Sequence, residues 1–328
     1  MTTSTTPHPG ESAGPTEKRA DSCDEVRFLL WNIEHNGVDA DGCDKRWHRA
    51  MDVAESVGAH VVLRQEVTRG HAKGQRAKWA EATRLGGFFP FLASATEESA
   101  NPTAVYVDPT MFEPVQEFEH RTALWHPICN PVVRLKGCPK TLSLASFHLC
   151  SWDPDKRVRE ARRLTILGRP GMEAILGGDC NSYPHAADEA PDLPDWGRVN
   201  NRTHFEQRTV VNHYGVRVSD TRPDKILAGR HDQRASVFME LGQYAVKRLG
   251  QSRESALAPT ASLWKSDQGP MQRIDRFYAT AGIAKALRRV EVLDHKDVKK
   301  STDHAAVVAV FSEAEMRRVL SPEPADTA

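Results

Sequence analysis

Apolar residues along this chain gather in short runs that alternate with stretches of helical spacing. Residues 26–32 (VRFLLWN), 60–66 (HVVLRQE), 103–109 (TAVYVDP), 141–149 (TLSLASFHL) and the run EAILGGD ending at Asp179 read as strands. So do RIDRFYAT and, at 305–311, AAVVAVF. Over 45–58, Trp47, Ala50, Met51, Ala54 and Val57 recur at helical spacing, and Gly58 suits the stop. Residues 74–87 and 153–167 predict two further helices, and 236–250 another, with Val237, Leu241, Tyr244 and Arg248 on one face. The stretch EAEMRRVL closes the chain as a last helix.

Strand–helix alternation of this kind predicts an α/β architecture with two covered sheets. The interval 182–234 breaks it, being rich in Pro, Asp, Arg and His, and reads as an elaborated surface region rather than a second domain. One domain is expected over 25–320. The Thr/Ser/Pro/Gly-biased stretch 1–24 and the short end 321–328 are expected to be disordered tails. No internal repeat is visible.

Composition narrows the function classes without naming one. The 328 residues are 39% apolar and 27% charged, as in soluble globular proteins, and no apolar run is long enough to span a bilayer. The first residues lack the apolar core of a secretory signal. The six cysteines, Cys23, Cys43, Cys129, Cys138, Cys150 and Cys180, show neither C-x-x-C pairs nor zinc-type spacing. Together these features predict reduced thiols in a cytoplasmic protein. Forty-four basic residues balance forty-four acidic ones, so the chain has no overall charge bias toward nucleic acid. The stretches KRVREARRL (156–164) and LRRV (287–290) are locally basic and read first as solvated helix faces.

The informative pattern is where polar residues meet the apolar runs. Asn32 and Glu34 follow the first strand, Glu66 the second, His148 the run LSLASFHL, and Asp179 and Asn181 the run EAILGGD. Asp275 opens RIDRFYAT, and Asp303 and His304 immediately precede AAVVAVF. Taken singly, each is a turn or cap residue. For Asp275 a strand-end ion pair with Arg273 or Arg276 is the simple alternative. As a set they predict a shared site, because an ionisable group at the edge of a dry core costs several kcal/mol unless it is paired. Oxygen donors without clustered Cys or His suit a hard cation, Mg²⁺ or Mn²⁺. A carboxylate beside it orients water and a histidine stabilises phosphoryl charge, which describes metal-assisted hydrolysis of a phosphate ester.

The segments WNIE, LRQEV, SFHL, GGDCN, RIDR and STDHAAV occur here in the order found in the endonuclease/exonuclease/phosphatase superfamily. The resemblance runs from Val26 to Phe311, and the WNI-acid, GGD-x-N and R-x-DR spellings are similar to those of tyrosyl-DNA phosphodiesterases. It implies a four-layer α/β/β/α sandwich with two mixed sheets face to face. It further implies a Mg²⁺- or Mn²⁺-dependent hydrolase acting on a phosphodiester in DNA, RNA or a nucleotide. By position, Glu66, Asn32, Asp303 and Glu34 resemble metal-binding residues. Asp179 resembles the residue that activates water, Asn181 and His148 phosphate-contacting residues, and His304 the closing histidine oriented by Asp275. Asn101, Trp152, Arg202, His204 and Trp264 are candidates for substrate contact, with Arg208, Arg222 and Arg234 also in the variable stretch. Two alternatives stay open at this point: action on a small or lipid-derived phosphoester, and a catalytically silent binding module of the same fold. No membrane association and no obligate protein partner is expected.

Overall fold

The structure is a computed structural model that describes residues 24–230, 234–264 and 270–321. The expected tails lie outside the described residues except for Asp24 and Ser321, as does Cys23. In chain order the first strands are β1 (Glu25–Asn32), β2 (Val61–Gln65), β3 (Phe89–Leu92), β4 (Ala104–Val107), β5 (Phe112–His120), β6 (Ile128–Leu135) and β7 (Thr141–His148). They continue as β8 (Glu173–Asp179), β9 (Thr209–Val211), β10 (Arg217–Ser219), β11 (Met239–Glu240), β12 (Asp275–Ala279), β13 (Leu287–Leu293) and β14 (Ala306–Ser312). The principal helices are α1 (Lys45–Val57), α2 (Ala72–Arg84), α3 (Pro154–Leu164), α4 (Arg202–Arg208), α5 (Arg222–Ala228) and α6 (Leu241–Leu249).

Two six-stranded mixed sheets form, in the orders β13-β14-β1-β2-β4-β3 and β11-β12-β8-β7-β6-β5. Strand alternation builds the layers. Phe28 and Leu30 of β1 point into a core shared with Leu144, Ile175 and Phe277 of the second sheet. Leu29 and Trp31 point the other way, under Ala50, Met51 and Ala54 of α1. On the far side of the second sheet, Ala145, Phe147 and Leu176 pack under Ala161 and Leu164 of α3. The result is the expected α/β/β/α sandwich. A closing helix, Glu313–Leu320, packs Met316 and Leu320 into the shared core.

Helix ends obey local chemistry. Gly58 caps α1 in the left-handed region at φ 61°. The Asp153 carboxylate caps α3 by accepting from the N–H groups of Asp155 and Lys156, with Pro154 in the first turn. The helix expected over 236–250 begins only at Leu241. Glu240 caps it through the N–H groups of Gly242 and Gln243, while Met239 and Glu240 pair with β12.

Other departures have separate causes. LRRV is strand β13, not a helix face. A bulge between Leu287 and Arg289 places its buried residues, Leu287 and Val290, three apart, which mimics helical spacing. The strands β3, β5 and β6 each carry a proline, which hides them from a pattern reading. The basic stretch on α3 is only partly solvated, since Arg157 and Glu160 are buried and Arg157 pairs with Asp220 at 3.3 Å. The interval 182–234, expected to be irregular, holds α4, α5 and the β9–β10 hairpin. No helix among the described residues is long and apolar enough to cross a membrane, and the described cysteines are free thiols.

Candidate active site

Topology carries the polar strand ends to one edge. In the middle of each sheet is a parallel pair, β1–β2 and β7–β8, whose carboxyl ends leave together. Register then sets neighbours: across β8, Asp179 faces His148 on one side and Asp275 on the other. Strand β14 runs antiparallel to β1, so Asp303 and His304, just before it, reach the β1 exit.

The paired glycines of GGD permit the close approach. A Cβ on Gly177 would stand 2.8 Å from Leu63 Cδ1 of the facing sheet, and one on Gly178 would stand 2.0 Å from the Phe147 carbonyl oxygen. Any larger residue would push β8 off its neighbours and move Asp179.

Around Asp179 the contacts converge. Its Oδ1 accepts from the Asn181 N–H at 2.8 Å, and its Oδ2 accepts from Asn32 Nδ2 at 3.2 Å. His148 Nε2 lies 3.4 Å and His304 Nε2 4.0 Å from the same Oδ2. Asn32 Nδ2 also reaches Glu66 Oε1 at 3.3 Å, and Glu66 Oε2 accepts from the His35 N–H at 3.1 Å. Glu66 and Asn181 both hold left-handed backbones, at φ 57° and 47°, which are strained for non-glycine residues and aim their side chains off the strand ends. His304 Nδ1 bonds Asp275 Oδ2 at 2.8 Å, and the His304 carbonyl accepts from Trp31 Nε1 at 3.1 Å. Asp275 therefore pairs with His304 and not with its neighbouring arginines. Asp303 is held through its carbonyl, which accepts from the Leu263 N–H at 3.1 Å, and Glu34 Oε2 lies 3.8 Å from Arg46 Nη1.

Electrostatics separates the groups. Burial alone lowers the tendency of His304 to carry a proton, but the charge of Asp275 and their hydrogen bond overcome it and raise its pKa to about 10. Asp275 is raised from the ordinary carboxylate value by burial and by Asp179, against the pull of His304. His126 stacks on His148 with centroids 4.4 Å apart, and burial together with the His148 charge pushes it down to about 2. Several buried atoms have no hydrogen-bond partner among the described residues: Asn32 Oδ1, His148 Nδ1 and Asp275 Oδ1. Buried polar atoms are usually paired in folded proteins, and these three lie together at the Asp179 cluster.

A cavity of about 190 Å³ opens on this cluster, lined by Glu34, Glu66, His148, Asp179, Asn181, Asp303 and His304. Asn32 and Asp275 sit one layer behind it. Of the substrate candidates, Asn101 and His204 line the cavity. Trp152 is exposed beside Lys156, Arg202 pairs with Glu206 at 2.7 Å in solvent, and Trp264 donates to the Thr302 carbonyl at 3.1 Å; none of the three lines the cavity. Of the other arginines in the variable stretch, Arg208 lines it, whereas Arg222 pairs with Asp220 and Asp155. Trp125, His126, Ser151 and Ser262 also line it and were not singled out from sequence. Ser151 stands three residues past His148, where a polar side chain follows the strand end, and that was its only signal.

No protein-family model and no curated protein matches the chain. Solved structures do. An endonuclease/exonuclease/phosphatase protein from Bacteroides vulgatus aligns over 88% of this chain and 98% of its own, with TM-score 0.59 and 12% identity. This is the endonuclease/exonuclease/phosphatase fold. A humanized D. rerio TDP2 aligns over 88% of this chain and 99% of its own, with TM-score 0.57 and 12% identity. ANGEL2, described as a 2',3'-cyclic phosphatase, aligns over 88% and 95%, with TM-score 0.55 and 12% identity. At these identities the likeness is one of fold, and the chemistry rests on the cluster itself.

Proposed function

We propose that this protein is a Mg²⁺- or Mn²⁺-dependent phosphoesterase that hydrolyses a phosphodiester in nucleic acid or a nucleotide. One observation carries the reading: carboxylates, amides and histidines from six strand ends, spread from Asn32 to His304, meet around Asp179 at one cavity. Two solved structures of the same fold lean the same way, since D. rerio TDP2 has been crystallised with a single-strand DNA product and ANGEL2 carries the phosphatase description.

The donor set fits a hard divalent cation. Glu66, Asp303 and Glu34 would supply carboxylate oxygens, and the buried Asn32 Oδ1 lacks a partner beside Glu66. Asp179, Asp275 and His304 also offer atoms within 4.8 Å of one another, but the 2.8 Å bond between His304 Nδ1 and Asp275 accounts for that trio as a hydrogen-bonded unit. When bound, the cation supplies Lewis-acid polarisation of the phosphoryl group.

The chain's own residues do the rest. Asp179, with Oδ1 fixed by the Asn181 N–H, orients a water and takes its proton as the water oxygen bonds to phosphorus; the ester P–O bond breaks and the leaving oxygen takes a proton from solvent. His304, kept as imidazolium by Asp275, donates from Nε2 to a phosphoryl oxygen as negative charge grows there. His148, 3.4 Å from Asp179, borders the same oxygens. Asn181 spends one amide N–H on the Leu149 carbonyl at 2.8 Å and keeps the other for the phosphate.

The test is a panel of single- and double-stranded DNA, RNA, nucleotides, inositol phosphates and sphingomyelin assayed with Mg²⁺ and Mn²⁺. The reading expects metal-dependent cleavage of at least one nucleotide-containing diester. Turnover confined to inositol phosphates or sphingomyelin, or none on any member, contradicts it.

A further inference from the structure

The walls of the cavity are divided by charge. Glu34, Glu66 and Asp303 come from the β1, β2 and β14 side, whereas the opposite wall contains Arg208, the one Arg or Lys lining the cavity among the described residues. Arg208 ends α4, inside the insertion between β8 and β12. Two main-chain bonds fix its place: the Asp220 N–H donates to the Arg208 carbonyl at 3.0 Å, and Arg157 Nη2 donates to the Gln207 carbonyl at 2.8 Å.

The guanidinium is half-buried. Asp220, the nearby acid, is already committed to Arg157 at 3.3 Å and Arg222 at 2.8 Å. Arg208 makes no ion pair among the described residues. Its Nη1 donates to the Asn181 carbonyl at 2.5 Å, and its Nε is buried with no partner. The neighbouring Arg157 registers the strain: burial and the Arg208 charge push it down to about 10. With no carboxylate paired to it among the described residues, the guanidinium brings a positive charge to the cavity wall, where an anion would form charge-assisted hydrogen bonds.

We propose that Arg208 binds a second anionic group of the substrate, the phosphate adjacent to the scissile one, and so selects oligonucleotides over esters with a single phosphate. The inference rests on the phosphodiesterase reading above. The scissile phosphate finds its donors in Asn181, His148 and His304, all grouped at Asp179. Arg208 approaches Asn181 from the other side, through its backbone carbonyl. A cavity of about 190 Å³ is also smaller than the roughly 300–1,000 Å³ that encloses a whole ligand, so the groups flanking the reacting phosphate lie along its walls.

Two ligands separate the possibilities: a dinucleoside monophosphate, with a single phosphate, and the same dinucleotide bearing an added terminal phosphate. Binding is measured calorimetrically with Mg²⁺ in Asp179→Asn protein, with and without Arg208→Ala, and kcat/KM in otherwise unaltered protein. Arg208→Ala should weaken binding of the two-phosphate ligand roughly ten- to a hundredfold and raise its KM, with the one-phosphate ligand scarcely changed. Arg208→Lys, which keeps the charge, should retain a preference for the second phosphate. Equal losses on both ligands, or no loss on either, overturn the proposal. Should the unaltered protein cleave neither ligand while the Arg208-dependent preference persists in binding, the hydrolytic reading fails and the role of Arg208 stands.

Discussion

Strand β12 divides two equally buried polar regions that behave in opposite ways. On one side of it, Asp275 serves the cluster around Asp179. On the other, Arg273 and Arg276 anchor the insertion. Arg273 donates to Glu189 at 2.7 Å through both Nε and Nη2 and to Glu240 at 3.0 Å. Arg276 donates to Tyr278 Oη at 2.9 Å and to the Ser182 carbonyl at 3.0 Å, and Tyr278 Oη donates to Asp224 at 2.6 Å. Among the described residues, no buried polar side-chain atom of Arg273, Glu189, Glu240, Arg276 or Asp224 lacks a partner, whereas Asn32, His148 and Asp275 each leave one bare. In this pair of regions the named anchor side chains are the more fully hydrogen-bonded.

The contrast fails most visibly if the wrong side carries activity. Asp179→Asn keeps shape and removes the negative charge, so kcat on a verified substrate should fall by about a thousandfold or more, some 4 kcal/mol of barrier. Its melting temperature should change only modestly, because weaker contacts to Asn32 and the His304 imidazolium are offset by relieved repulsion from Asp275. A large loss of stability would show that Asp179 belongs to the anchor type. Arg273→Ala should do the converse. Stripping the partner from two buried glutamates should cost about 3–5 kcal/mol in urea unfolding, with far less change in kcat per folded molecule.

The two Asp–His contacts sharpen the comparison through pH. Asp224, held well below the usual carboxylate range by Arg276, His185 and Tyr278 despite its burial, stabilises the fold above its unfolded value near 3.8 and loses that contribution as pH falls below it. His304, raised to about 10, contributes stability that is complete below 6.5 and lost as pH rises through 10. Unfolding of metal-free protein followed across pH should therefore flatten at the acid end in Asp224→Asn and at the alkaline end in His304→Ala. Each change is at most about 1.4 kcal/mol per pH unit. The same flattening in both variants, or at the opposite ends, would break the distinction.

How much of this was legible in the sequence follows from the kind of pattern each element leaves. Strands buried on both faces, such as VRFLLWN and AAVVAVF, announce themselves as apolar runs, and their polar exits located Asn32, Glu66, His148, Asp179 and His304. The anchor was invisible because its partners, Glu189, Glu240 and Asp224, lie tens of residues from Arg273 and Arg276 in stretches with no period. Arg273 and Arg276 themselves invited a local pairing with Asp275, which instead bonds His304, delivered from just before β14 in the facing sheet. Proline-bearing strands and the bulged β13 were lost for the reasons their hydrogen bonding shows. The cavity walls were half legible: His204 and Asn101 reach it, while Trp152, Arg202 and Trp264 carry suitable chemistry in the wrong place.

Glu66, Asp303, Glu34 and Asn32 are proposed to hold one divalent cation beside Asp179. Calorimetric titration of Mg²⁺ into the protein in the presence of a non-hydrolysable phosphate analogue tests it most directly, compared with Glu66→Gln under the same conditions. Saturable binding at one site in the unaltered protein, weakened at least tenfold by Glu66→Gln, is the predicted result. Absence of binding with the analogue present, or binding indifferent to Glu66, would contradict the account.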